Sequence, residues 1–202
     1  MGHMVKSAFR LARNVAFDLR YGAFLGGVIP TRYGEDGAAN VANTDYGVLP
    51  RLFADLIRED DVLVDVGCGK GRVLNWWLNH YPRNRIIGVE LDPQVGANTA
   101  RRLRRWPQVS IRIGSVVDAF PDEGTLFYLF NPFSLPVMEK FVTRFMDSPG
   151  RGSGRRIIYY NCVHRGPFLK YPELSIQHSR TTEGRFHPAI TITERYIVEP
   201  SQ

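Results

Sequence analysis

The 202 residues are 44% hydrophobic and 23% charged, an ordinary balance for one globular domain with a well-filled core. No apolar run approaches the roughly 20 residues that span a bilayer, and no charged-then-apolar leader precedes a cleavage site, so a cytoplasmic protein without a membrane span is expected. The net charge of +6 suits an acidic partner such as nucleic acid, yet its sharpest cluster, Arg101, Arg102, Arg104 and Arg105, equally fits the solvated face of a helix, which is the reading favoured here.

Met1-Gly2-His3-Met4 resembles an expression scar and is set aside. "VKSAFRLARNVAFDLR" then reads as a basic amphipathic helix, with Phe9, Ala12, Ala16 and Leu19 on one face and Arg10, Arg13 and Arg20 on others. Such a helix either covers an edge of the core or rests on a membrane surface. Residues 21–47 are glycine-rich and aperiodic, as a lid would be, and Tyr21, Phe24, Tyr33 and Tyr46 either line a pocket beneath it or pin it to the core. A second helix is expected from near Asp45 as cap, with Pro50 in its first turn and Leu52, Phe53, Leu56 and Ile57 buried.

From residue 61 the pattern alternates. "DVLVDV" is a short β-branched run without polar alternation, as in a parallel strand covered on both faces. Helix "RVLNWWLNHY", strand "RIIGVEL", helix "TARRLRRW", strand "VSIRI", strand "TLFYLFN", helix "PVMEKFVTRFMDS" and strand "RRIIYYNCV" follow, and "LSIQHS" with "AITITERYIV" suggests a closing hairpin. The expected fold is α/β: a doubly wound, mostly parallel seven-stranded sheet with helices on both faces and an N-terminal helical extension, residues 5–47 forming helix and lid and residues 48–202 the remainder of a single domain.

The first strand runs into Gly67, Gly69 and Gly71. Glycines on the first strand-to-helix turn of such a sheet mark a nucleotide-like ligand, because they permit positive φ and remove the Cβ that would hold a ligand away. Glu90, ending the second strand, is placed to accept from the two hydroxyls of a ribose. The sixth position of a dinucleotide fingerprint is Arg72 rather than glycine, and Lys70 is misplaced for a phosphate-binding loop. Asp65 beside the turn repels pyrophosphate and attracts a cationic amine. Two cysteines, Cys68 and Cys162, are too few for a disulfide framework, and with five scattered histidines they give no metal-ligand spacing, so no metal is expected. Cys68, at a helix start that favours thiolate, occupies a variable position of the turn and reads as a small filler.

"DVGCGKG" and "GVELD" resemble the first two motifs of the class I S-adenosylmethionine-dependent methyltransferases, and "GKGR" with "YLFNPF" is similar to small bacterial members of that family. The resemblance implies a Rossmann-like methyltransferase fold with S-adenosylmethionine as cofactor: Asp65, Gly67, Cys68, Gly69 and Gly71 about its methionine part, Glu90 at the ribose, and Leu91 on one side of the adenine. The third motif falls on Ser115 and Val116 in the favoured register, or on Asp118 and Ala119 in another. "NPF", Asn131-Pro132-Phe133, resembles the [D/N]-P-P-[Y/F] of methyltransferases acting on amino or amide nitrogens, short of one proline, and it implies that Asn131 contacts acceptor and cofactor. For a general base, His164, Asp45 and Tyr46 are the candidates, and Tyr46 is expected to touch the cofactor from the lid. Methyl transfer in line to a nucleophile of a small molecule or protein, nitrogen favoured, is therefore expected. The alternatives are a nicotinamide-dependent oxidoreductase, disfavoured by Arg72 and Asp65, and an inactive cofactor-binding module that binds RNA through its arginines.

Overall fold

The computed structural model of the protein describes residues 2–178 and 187–195. Its elements in chain order are α1 (Gly2–Arg20), α2 (Leu49–Phe53), β1 (Val62–Val66), α3 (Arg72–His80), β2 (Arg85–Glu90), α4 (Pro93–Leu103), β3 (Val109–Ile113), β4 (Leu126–Phe130), α5 (Leu135–Asp147), β5 (Arg156–Tyr160), β6 (Leu174–His178) and β7 (Ala189–Glu194). Among the described residues they form a seven-stranded sheet of order β3-β2-β1-β4-β5-β7-β6. The first five strands in that order pair in parallel, whereas β7 runs antiparallel to both β5 and β6. The expected closing hairpin is therefore β6–β7. Met1, Ser179 and the expected end of the last strand at residues 196–198 lie outside the described residues.

Strand alternation divides the core into two layers. Leu63, Leu126, Tyr128 and Ile158 pack with Trp76, Trp77, Leu49 and Phe53 from α3 and α2. Val64, Ile87, Phe127 and Leu129 pack on the other face with Met138, Phe141 and Phe145 from α5. Both faces of β1 and β4 are thus covered, which is why their sequences show no polar alternation.

The N-terminal third corrects three expectations. The second helix begins at Leu49 rather than near Asp45, its N-cap is Val48, and no side chain caps it. Asp45 instead accepts from Asn14 and from the Gly47 amide and pairs with Arg10 and Arg13. Leu56 and Ile57 follow the helix and are only partly buried. Most consequentially, α1 docks through Asn14, Phe17, Asp18 and Tyr21, while Phe9, Ala12, Ala16 and Leu19 face solvent. The reason is Asp18. Fully buried, it accepts from Arg72 Nε and Nη2, the Tyr46 hydroxyl and the Leu25 amide. A buried ion pair with its lone pairs satisfied holds that orientation, since turning α1 over would strand Arg72.

Candidate functional site

β1 and β4 are neighbours in space but not in sequence, and connections leave β1 and β4 toward opposite sides of the sheet. At this switch point a crevice opens beyond the carboxyl ends of the strands. A cavity of about 980 Å³ fills it, bordered by Gly67 after β1, Glu90 at the end of β2 and Leu91 after it, residues 114–118 after β3, Asn131-Pro132-Phe133 after β4, Asn161 after β5, and residues 35–42 of the lid. That size is at the upper end of small-molecule sites and accommodates a nucleotide together with a small second ligand.

Gly67, Gly69 and Gly71 all have positive φ, at 73°, 51° and 77°. Only Gly67 borders the cavity. A Cβ on Gly69 would meet Val41 Cγ1 at 2.7 Å, and one on Gly71 would meet Thr99 Cγ2 at 2.9 Å. The close approach foretold by the glycines is thus made largely by the protein itself: the lid seals over Gly69, and α4 packs on Gly71. Lys70 fastens the same lid by donating to the Gly26 and Gly27 carbonyls at 2.7 Å each. Backbone bonds from Ala39 to Pro132 and from Ser134 to Gly37 close its far side.

Two carboxylates stand at this end of the sheet, Glu90 on the cavity lining and Asp65 in a recess beside it. Glu90 accepts from the Gly69 amide at 2.7 Å through one oxygen and from the Asp92 amide at 3.0 Å through the other. Each oxygen retains a lone pair, so the side chain still accepts from a vicinal diol. Burial raises its pKa and the backbone donors oppose that rise. Asp65 is only 4% exposed, yet no described residue donates to its carboxyl. It lies in a small recess with Gly67, Cys68, Arg72, Thr44 and Tyr128, and this recess shares Gly67, Ala42 and Phe130 with the main cavity. Burial, reinforced by the nearby Glu90 charge, pushes its pKa well above the usual carboxylate range. A nearly buried carboxylate without a protein donor is a ready partner for a cation.

Several sequence-predicted site residues lie elsewhere. Tyr46 is buried against Phe17, donates to Asp18, and accepts from Asn75; it holds the lid to the core and does not border the cavity. Burial pushes its hydroxyl far above the ordinary range. Tyr21 likewise packs in the core, Phe24 is exposed, and of the four lid aromatics Tyr33 alone borders the cavity. Cys68 sits over Gly88, where a Cβ would meet its Sγ at 2.7 Å, and burial beside Asp65 and Glu90 raises its thiol well above the usual value. His164 donates its backbone amide to the Tyr159 hydroxyl and is outside the cavity lining. None of the three base candidates, His164, Asp45 and Tyr46, therefore reaches it. Leu91, Ser115, Val116 and Asp118 all border the cavity, whereas Ala119 packs in the core.

At the far end stand two asparagines. Asn131 and Asn161 each follow the register pair Phe130–Tyr160 of β4 and β5, and each is left-handed, with φ of 41° and 53°. Left-handed asparagine is several-fold less rare than other non-glycine residues, and two side by side at a cavity are a local strain held by the sheet. Tyr159 accepts the His164 amide and donates to Asn131 Oδ1 at 3.2 Å, orienting that carboxamide with its NH2 free. The Asn161 carboxamide makes no bond to any described residue. Asn161 escaped the sequence reading, although "YLFN" and "IYYN" end their strands alike.

Residues 64–128 match the family model of the methyltransferase domain. That stretch, about a third of the chain, is similar to a methyltransferase domain. An RNA methyltransferase from Salinibacter ruber, solved in complex with S-adenosyl-L-homocysteine, superposes with a TM-score of 0.58 at 20% identity, covering 80% of this chain and 98% of that one. A methyltransferase from Pyrococcus furiosus superposes at 0.61 with 13% identity, over 91% and 98% of the two chains. The N,N-8-amino-8-demethyl-D-riboflavin dimethyltransferase of Streptomyces davawensis gives 0.58 at 15% identity over 75% and 55%. At these identities the likeness is one of fold. No protein of curated function matches the chain in sequence.

Proposed function

We propose that this protein is an active enzyme that passes the methyl group of S-adenosylmethionine in line to a nitrogen nucleophile of a small molecule. One observation carries the reading: Asp65, buried, unpaired and set beside a glycine turn, calls for a cationic ligand, and the α-ammonium of the cofactor is such a group. The donor set fits the rest. Glu90 has lone pairs for the ribose hydroxyls, Leu91, Ser115 and Val116 offer the apolar and polar edges an adenine uses, and Gly67 lets the chain pass close.

Bound there, S-adenosylmethionine supplies a methyl already activated on a sulfonium. The protein's part is to position and to exclude water. Asp65 fixes the amino-acid end, Glu90 the sugar, and Val41 with the Lys70 latch keeps the lid down over the turn. The carboxamides of Asn131 and Asn161 orient the acceptor: the first, its oxygen already taken by Tyr159, offers NH donors, and the second offers both a donor and an acceptor for a nitrogen's own hydrogens. Phe133, on the same lining, supplies an apolar wall. The three sequence-predicted bases are not on the lining, and Glu35, Asp36 and Asp118, which are, can take up the proton that the acceptor nitrogen sheds, directly or through water.

Arg72 is spent on Asp18 and Arg102 on the Tyr21 and Lys70 carbonyls and on Asn75, so neither is free for a pyrophosphate or an RNA backbone. This weighs against the nicotinamide reading, and it withdraws Arg102 from the arginine cluster of the RNA reading, whose Arg101, Arg104 and Arg105 stay exposed. The test is incubation with S-adenosylmethionine labelled in its methyl group and separate pools of small amines, proteins and RNA. Label in the small-amine pool is expected. Label in RNA alone, or cofactor binding without transfer to any pool, overturns the proposal.

A further inference from the structure

The two long faces of α1 have exchanged their usual places. Ala8, Leu11, Ala12, Val15, Ala16 and Leu19 follow one another at the spacing of three and four residues that builds a single helical stripe. Asn14, Phe17, Asp18 and Tyr21 repeat that spacing on another side, and it is this mixed polar and aromatic stripe that meets the protein. The apolar one is left uncovered except at Val15, which is half-buried. Leu11 is 59% and Leu19 58% exposed, and Phe9 at its margin is 73% exposed. Among the described residues, six of the ten large apolar side chains left exposed lie between Phe9 and Ile29, the others being Phe24, Val28 and Ile29 on the loop that follows. The apolar surface of the molecule is concentrated in one segment.

Charge selects the occupant. Arg10 and Arg13, each about half exposed, share the single carboxylate of Asp45, and Arg20 adds a further charge at the end of the helix. Arg105 reaches the Arg20 carbonyl and lies over the Trp106 ring, bringing another cation to the same end. The acid within Ala8–Arg20 is Asp18, which is buried and paired with Arg72. A second copy docked through this face would bring arginine against arginine with no exposed acid on the helix to separate them. An anionic lipid surface accepts both features: the apolar stripe sinks to the acyl boundary while Arg20 and Arg105 at the end of the helix stay at the phosphates, Arg10 and Arg13 being turned toward Asp45 on the docked side.

We infer that α1 is an interfacial anchor that seats this protein on an anionic bilayer, its apolar stripe inserted and its polar stripe holding the catalytic domain through Asp18 and Arg72. This is separate from the methyl-transfer reading and stands if that reading fails. The cavity is closed by the lid and not by the outer face of α1, so anchoring leaves the site open to ligands.

The test is co-sedimentation of the full chain with vesicles of phosphatidylcholine containing phosphatidylglycerol, against vesicles of phosphatidylcholine alone. Binding to the anionic vesicles is expected to exceed that to the neutral ones by about tenfold or more, each arginine near the surface contributing a few-fold, and to weaken as salt is raised. The combined substitution Phe9→Ser, Leu11→Ser and Leu19→Ser is expected to abolish it. Those side chains are exposed, so the variant keeps the parent's unfolding temperature and its affinity for S-adenosylhomocysteine, which shows that the fold is intact. Absence of binding to either vesicle, equal binding to both, undiminished binding by the triple variant, or self-association of the parent that the triple variant abolishes overturns the inference.

Discussion

Replacing Asp65 with asparagine keeps the size of the side chain and removes its charge, and the structure gives two opposite consequences. In the ligand-free protein the carboxyl is buried, unpaired and close to Glu90, and its pKa is raised well above the usual range. The fold therefore favours the protonated form. That contribution is complete below the ordinary carboxylate value and is lost as the pH climbs through the raised one, so at neutral pH Asp65 opposes folding. An uncharged asparagine escapes this, and on the scale of buried polar groups in mutational data the gain is on the order of 1 kcal/mol. For a chain of this length it corresponds to roughly 2–4 °C in Tm. Ligand affinity moves the other way. A hydrogen bond between charged partners contributes about 1.5–3 kcal/mol, so Asp65→Asn is expected to bind S-adenosylhomocysteine about 10- to 150-fold more weakly. Differential scanning calorimetry and isothermal titration calorimetry read the two effects. Binding within twofold of the parent, or a lowered Tm, would refute the assignment of Asp65 as an unsatisfied carboxylate awaiting a cation.

The same carboxyl makes binding pH-dependent: burial raises its pKa in the empty site and an ammonium beside it lowers it again, so affinity for S-adenosylhomocysteine should rise as the pH climbs through the raised value, with release of a proton, and titrations in buffers of differing ionisation enthalpy that show uptake instead contradict it. Asp18→Ala leaves Arg72 buried without its carboxylate and frees the Tyr46 hydroxyl and Leu25 amide. A loss of about 3–5 kcal/mol is expected, read as a drop of roughly 6–20 °C in Tm, and an unchanged Tm contradicts the central place given to this pair. Once an acceptor is in hand, Asn161→Ala should raise its KM or lower kcat by about tenfold, one good hydrogen bond, while leaving the affinity for S-adenosylhomocysteine unchanged. A loss of cofactor affinity instead would move Asn161 to the other end of the cavity.

Most described elements from residue 61 onward follow signals that act locally, although α4 begins at Pro93, six residues ahead of the expected helix over 99–106, and ends at Leu103, because Asp92 caps it and Pro93 opens it. Buried strands announce themselves as β-branched runs, helices as a repeat of three and four, and the turn between them by glycines whose positive φ no other residue tolerates well. The architecture, with seven strands and a closing antiparallel hairpin, follows from that alternation, and so does the placing of Gly67, Glu90 and Asn131 at one end of the sheet. What the glycines touch does not follow. Val41 over Gly69 and Thr99 against Gly71 are contacts between distant segments, and the motif's spacing carries no record of them. The N-terminal third misled for a related reason. Periodicity identifies which residues of α1 share a face, but it does not say which face meets the protein. Here a buried ion pair, Asp18 with Arg72, decided it over distance, and the same network drew Tyr46 inward and away from the cavity. Arg102, read with its neighbours as a solvated cation, bonds instead to carbonyls of the glycine turn and of Tyr21.

The central claim is that this crevice holds a cationic nucleoside and not a dinucleotide. Isothermal titration of the full chain with S-adenosylhomocysteine and, in parallel, with NAD tests it most directly. Saturable one-to-one binding of S-adenosylhomocysteine that Asp65→Asn weakens is expected, with no comparable heat with NAD. Tighter binding of NAD, or no binding of S-adenosylhomocysteine by a folded protein, contradicts it.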